Sequence, residues 1–164
     1  SEHFGLDVNY PDGYPMVFDT ALVLRRRRTE ARSRFYDSAQ PAPDWSWPTS
    51  GRISVEFGGK PGSGTGVLID GRAGQPIVAA APGRVVYAGG GLIGYGQLII
   101  LKHNDTYLSA YGYTASLLVK EGQEVSQGQR IATMGEGPER KPRLHFEIRR
   151  NGKPVNPRQF LPAR

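Results

Sequence analysis

The chain contains no cysteine, which excludes disulfides and thiolate metal sites. No apolar run approaches the ~18 residues that a membrane-spanning helix requires. The N-terminus has no charged region leading into an apolar core, so an export signal, for an exported protein, is expected to lie outside these residues or to have been removed. Histidine is scarce, with His3, His103 and His145 in 164 residues. No helical periodicity of any length is visible after residue 50, so no long helix is expected there.

Turn formers are abundant. The 22 glycines and 13 prolines follow no collagen-like period, which points to short strands joined by tight turns. Length suits one domain of about 100–150 residues plus an extension. The net charge of +6 is uneven: residues 1–50 carry 6 basic and 7 acidic side chains, residues 51–164 carry 15 and 8. The basic part should attract polyanions or acidic surfaces. Apart from Arg140-Lys141-x-Arg143 and Arg149-Arg150, its cations are scattered singly and no nucleic-acid motif accompanies them. An acidic protein or an anionic cell-wall polymer is therefore expected as partner, and no nucleic acid.

Residues 18–37 are expected to form a helix. Asp19 or Thr20 can cap it, and Val17, Ala21, Leu24, Ala31 and Phe35 recur at helical spacing, interrupted by Arg28. The run Arg25-Arg26-Arg27-Arg28 reads as a solvated face or, more sharply, as a regulatory arm. Residues 39–48 contain Pro41, Pro43 and Pro48, which impose extended backbone and suggest a hinge. Trp45 and Trp47 are expected to be covered by the domain edge. This divides the chain into an N-terminal extension, 1–46, and a domain, 47–164. Within the domain, Ile53–Phe57, Gly83–Ala88, Gln97–Lys102 and Tyr107–Tyr113 read as strands, the last two joined by a turn at Asn104-Asp105. Gly-Gln units at 122–123 and 128–129 suit tight turns in a small all-β sandwich or barrel. Asn156-Pro157 should open a final short helical turn.

Six blocks in order carry a resemblance: Gly74–Gly89, Gly94–His103, Tyr107–Tyr113, the Gly-Gln units, Leu144-His145-Phe146-Glu147-Ile148-Arg149, and Pro154-Val155-Asn156-Pro157. Together they resemble the LytM-type (lysostaphin-like) peptidases over about residues 47–162. Arg84–Gly89, Leu101–Tyr111 and Gln129–Gly135 are similar to the LytM domains of NlpD-type division proteins. The resemblance implies an all-β duplicated hybrid motif. Active members of the family bind zinc and cut peptide cross-links in peptidoglycan.

The family's ligands come from a His-x-x-x-Asp segment and the second His of His-x-His. Here those positions fall at Gly64, Leu68 and His145. Two further family histidines fall at Tyr113 and Arg143. A catalytic zinc needs three protein ligands and an open position. Glycine has no side chain, leucine has no lone pair, and arginine is never a base. Loss of zinc-dependent hydrolysis is therefore expected, with no catalytic residue, no bound metal and no cofactor. Asp70, two residues past Leu68, is on the same face of a strand and remains a conceivable shifted ligand. His103 is expected to hydrogen-bond at a turn.

A vacated groove lined by Gly64, Leu68, Tyr113, Arg143 and His145 offers the aromatic, apolar and guanidinium groups that binding hot spots favour. The resemblance implies the occupant: a periplasmic N-acetylmuramoyl-L-alanine amidase, activated to split septal peptidoglycan, with the protein periplasmic and membrane-attached only through a lipid anchor outside these residues. A peptidoglycan-binding module, a rearranged zinc endopeptidase using Asp70, His103 or His145, and a biotinyl-like carrier domain remain alternatives. The carrier lacks its Met-Lys-Met-type tip. For Arg143 the plainer reading is a strand arginine paired with Glu147 or Asp70. For Tyr113 it is an aromatic packed on Leu117.

Overall fold

The computed structural model describes residues 39–60, 64–91 and 94–164. The helix expected at 18–37 and the run Arg25–Arg28 lie outside these residues. Among the described residues the protein is all-β, with two short 3-10 turns at Pro138–Arg140 and Pro157–Gln159. Ten strands run β1 (Ile53–Val55), β2 (Val67–Asp70), β3 (Pro76–Val78), β4 (Gly83–Gly89), β5 (Gln97–Lys102), β6 (Tyr107–Leu117), β7 (Glu124–Val125), β8 (Arg130–Met134), β9 (Arg143–Arg150) and β10 (Lys153–Val155). Every pairing is antiparallel.

The main sheet has the order β1-β2-β9-β6-β5-β4-β7, with β10 on β9. Strand β6 belongs to two layers. Its first part lies between β5 and β9, and its end, from Thr114, pairs with β8, which in turn pairs with β3. One face of the main sheet closes on the β3–β8 layer. Alternate residues from each strand enter that core: Val67 and Ile69, Ile99 and Leu101, Tyr107 and Tyr111, Leu144, Phe146 and Ile148. The other face carries a smaller apolar cluster of Tyr95, Leu98, Ile100, Leu108 and Ala110.

The Gly-Gln units are turns, as their spacing suggests, and a third joins them at Gly74-Gln75. Gly74, Gly122 and Gly128 have φ of 83°, 92° and 83°, a left-handed backbone that glycine adopts without cost. In each turn the glutamine uses both ends. Its N–H donates to the carbonyl three residues earlier (Arg72, Lys120, Ser126), and its side-chain oxygen accepts from the N–H of that same residue. Asn156 caps the last turn, its Oδ1 accepting from Arg158 N.

The stretch read as a hinge is laid along the sheet rather than free. Gln40 N donates to Thr106 Oγ1 and its side chain accepts from Asp105 N, while Asn104 Nδ2 donates to Pro41 O. Ser46 N donates to Ala80 O. Trp45 is buried in the main core, edge-on to His103 at 4.9 Å, and Trp47 packs against the same core with its Nε1 donating to Pro162 O. The expected covering of both tryptophans is what is found.

His103 organises a buried relay beneath Trp45. Pro82 O can only accept, so His103 Nδ1 carries the proton toward it, at 2.7 Å. Nε2 is then an acceptor for Ser109 Oγ, also at 2.7 Å. Ser109 Oγ therefore accepts from the Tyr111 hydroxyl, which accepts in turn from Ala80 N. Burial pushes His103 down to about 4 despite the Pro82 bond, so the ring is neutral at physiological pH. Burial likewise lifts the Tyr111 hydroxyl to about 12.

Candidate functional site

Strand β9 carries the site. Because Leu144, Phe146 and Ile148 enter the core, Arg143, His145, Glu147 and Arg149 all belong to the opposite face. Register fixes their neighbours. Strand β2 sets Leu68 against His145 and Asp70 against Arg143, and β6 sets Gly112 against His145. Strand β2 can lie this close only because residue 66 is glycine, since a Cβ there would overlap the Phe146 carbonyl oxygen.

Glu147 is the centre of the polar face. It is fully buried and accepts from His145 Nε2 (2.7 Å), Thr65 Oγ1 (2.6 Å), Tyr95 OH (3.3 Å) and, on its other oxygen, Arg149 Nε (2.7 Å). Burial alone would raise its carboxyl. The Arg149 charge, then the His145 and Thr65 bonds, outweigh that and hold it at about 2. A carboxylate only accepts, so His145 Nε2 must be protonated. Tyr95 and Tyr113 flank the imidazole, with ring centroids 5.0 and 6.0 Å away.

Arg143 is enclosed, its side chain 7% exposed. It faces Asp70 (Nε–Oδ1 3.3 Å) and, more distantly, Glu139 (Nη2–Oε1 3.9 Å). Neither contact has hydrogen-bond geometry, and Nε and Nη1 are buried without a hydrogen-bond partner. Asp70 is the plainer partner expected for Arg143. The carboxylate is shared, since Asp70 Oδ1 also accepts from Ser54 Oγ at 2.6 Å.

Tyr113 stands where β6 leaves the main sheet. Its φ is 63°, a left-handed conformation that costs a non-glycine residue roughly 1 kcal/mol. The backbone is held there from both sides, its N–H donating to Tyr95 O (2.7 Å) and its carbonyl accepting from Gly135 N (2.8 Å). Its ring neighbours are Tyr95 and His145, and Gly137 lies against its edge.

The five residues expected to line a groove are thus divided. Leu68, Arg143 and His145 are buried, and Gly64 and Tyr113 are half-buried. Strand pairing brings Leu68, Asp70, Arg143 and His145 together. Thr65, Tyr95 and Arg149, which were not expected, complete the cluster with Glu147, which was expected as an alternative partner of Arg143 and is instead bonded to His145 and Arg149. Glu147 and Arg149 had a signal, since they continue the alternation from Arg143 and His145 along an otherwise apolar strand. Tyr95 lies outside any strand and had none.

These residues do not fit a zinc ion. Gly64 and Leu68 offer no donor atom. His145 Nε2 is bonded to Glu147, which leaves Nδ1 as one donor atom where a catalytic zinc needs three protein ligands, and the cation of Arg143 stands on the same strand face. Among the described residues no group of three or more His, Cys, Asp or Glu side chains is arranged to hold a metal.

An antiparallel sheet with a polar site across β2, β9 and β6 is the arrangement of a peptidase fold, and the chain belongs to peptidase family M23, matched over residues 62–157. Relatives are more particular. The chain is 54% identical over 127 residues to the murein hydrolase activator NlpD of Escherichia coli K12, covering 77% of this chain and 34% of that protein. It is 54% identical over 120 residues to the lipoprotein NlpD/LppB homolog of Pseudomonas aeruginosa, covering 73% and 40%. Among solved structures, the antimicrobial peptidase lysostaphin from Staphylococcus simulans superposes with a TM-score of 0.63 at 27% identity, over 73% of this chain and 53% of lysostaphin. The chain spans about a third to two-fifths of the length of the curated relatives it matches.

Proposed function

We propose that this domain is a catalytically inactive M23 domain that binds and activates a periplasmic N-acetylmuramoyl-L-alanine amidase during septal peptidoglycan splitting. The observation that carries the reading is the lack of donor side chains at Gly64 and Leu68, where the family resemblance places two of three ligands, which leaves His145 as a single donor side chain. Relatives named as activators of murein hydrolases, rather than as hydrolases, support the role.

Activation proceeds by displacement. The domain binds the amidase form in which a blocking helix has left the amidase's own zinc, and so shifts an equilibrium already present. Near-complete activation requires a preference for the open form of about 5 kcal/mol. Arg143 supplies the oriented cation, because a guanidinium fork makes charge-assisted bonds to a partner carboxylate. Tyr113 supplies the aromatic contact beside it. The protein works in the periplasm, and relatives named as a lipoprotein and as an outer membrane antigenic lipoprotein support attachment to the outer membrane through a part of the protein outside these residues.

The test is amidase activity on purified sacculi with wild-type protein and with Arg143→Met, which keeps the aliphatic volume and removes the charge. Loss of stimulation by a folded Arg143→Met protein supports the reading, and full stimulation refutes it. The basic character of residues 51–164 favours a second reading, direct binding to peptidoglycan. Sedimentation with sacculi in the absence of amidase separates the two.

A further inference from the structure

Residues 136–142 form an arch beside Arg143. Its feet are tied by the bridge between Glu136 and Pro142, and Gly137 N donates to Lys141 O across it. Its crown is strained. Glu139 and Arg140 have φ of 65° and 60°, consecutive left-handed positions that residues with side chains rarely adopt. The crown brings the Glu139 carboxylate toward Arg143, but only to 3.9 Å, and the same oxygen lies 3.5 Å from Lys141 Nζ. Glu139 and Lys141 are more than half exposed, whereas the Arg143 side chain is 7% exposed with Nε and Nη1 unbonded.

A buried guanidinium with idle donors is a site prepared for a better acceptor. Asp70 is occupied by Ser54. Glu139 is the acceptor on the flexible-cost side: it is poorly seated, solvated, and carried on backbone that relaxes when it leaves.

We propose that Glu139 is an internal place-holder that competes with an incoming carboxylate for Arg143, and that the 137–141 arch opens when that carboxylate takes its position. This rests on the reading of Arg143 as a docking residue and adds what guards it. Specificity follows from the exchange, since a ligand lacking a carboxylate leaves Glu139 in place.

The test titrates sodium acetate into 15N-labelled protein and follows the Arg143 Nε–Hε resonance, with sodium chloride at matched ionic strength as control. Wild type, Glu139→Gln and Glu136→Gln are compared, the last removing an equal charge from the foot of the same arch. The expected result is a saturable acetate response that is tighter by about two- to fivefold in Glu139→Gln and unchanged in Glu136→Gln, a range of the size that losing one partly exposed competing charge produces. Equal affinity in wild type and Glu139→Gln, an equal gain in both variants, or no saturable response overturns the proposal. An amidase-stimulation arm separates this from the parent reading. If Arg143→Met abolishes stimulation while acetate binds wild type and Glu139→Gln alike, the docking role stands and the place-holder falls. If acetate behaves as expected while Arg143→Met stimulates fully, the place-holder stands and the amidase role falls.

Discussion

His145 Nε2 donates to the Glu147 carboxylate at 2.7 Å, and both side chains are buried. The bond orients the imidazole and ties it to a carboxylate that Arg149, Thr65 and Tyr95 also hold. Strand β9, the segment leading into β2 and the Tyr95 segment meet on this carboxylate, so its charge is structural.

Replacing Glu147 by Gln keeps the shape and removes the charge. The buried Arg149 cation then loses its hydrogen-bonded carboxylate, which costs about 3 kcal/mol or more. Urea unfolding should show the midpoint falling accordingly. The sign with pH follows from a carboxyl held at about 2 in the fold against an ordinary 4.5. Its contribution is fully present above about pH 4.5 and is lost as pH falls toward 2. Wild type should show that acid slope, and Glu147→Gln should lose most of it.

His103 gives a second, separate slope. Its folded value is depressed to about 4 from 6.5, so the unfolded chain binds the extra proton between those values. Stability is full above about pH 6.5 and declines as pH falls to 4, by at most roughly 3 kcal/mol at 1.4 kcal/mol per pH unit. Unfolding midpoints measured from pH 7 to 4 should fall in wild type and flatten in His103→Gln, which keeps a donor and an acceptor but does not titrate.

Tyr113 combines backbone strain with a docking ring, and two substitutions separate them. Tyr113→Gly relieves the left-handed φ and Tyr113→Ala does not, so the glycine variant should be more stable than the alanine variant by about 1 kcal/mol. Both lack the ring, and both should lose amidase stimulation to the same extent. Stimulation that tracks stability instead of the ring would remove Tyr113 from the docking surface.

Trp45 precedes the boundary expected at residue 47 yet is part of the core. Truncating it to Ala should cost about 3–5 kcal/mol. A chain beginning at residue 47 should lose at least as much, because it also lacks the Ser46 bond to Ala80 and the Gln40 bonds to Thr106 and Asp105. Thermal unfolding of both variants against the full chain measures this.

The sheet was legible where its strands alternate. Ile99 and Leu101 against Leu98 and Ile100 report two apolar faces. The Gly-Gln turns were legible because glycine supplies the positive φ and glutamine closes the turn through local bonds. Strands β3 and β7, with three and two residues, are too short to show a period. The proline stretch signals extended backbone equally well for a free hinge and for a strap. What decides between them, Ala80 and Thr106, lies far away in the chain. The residue types at Gly64, Leu68, Tyr113 and Arg143 are read directly from the chain. The enclosure of Arg143 is not, because it depends on strand register and on an arch with two left-handed residues that no residue type there announces.

The most direct test of the central claim, that this site acts by offering side chains to another protein and not by holding a metal, is dye release from labelled sacculi in the presence of zinc. The domain alone, the amidase alone and the two together are compared. Background release is expected from the domain alone, low release from the amidase alone and a many-fold increase when they are combined. Zinc-dependent release by the domain alone would contradict the claim.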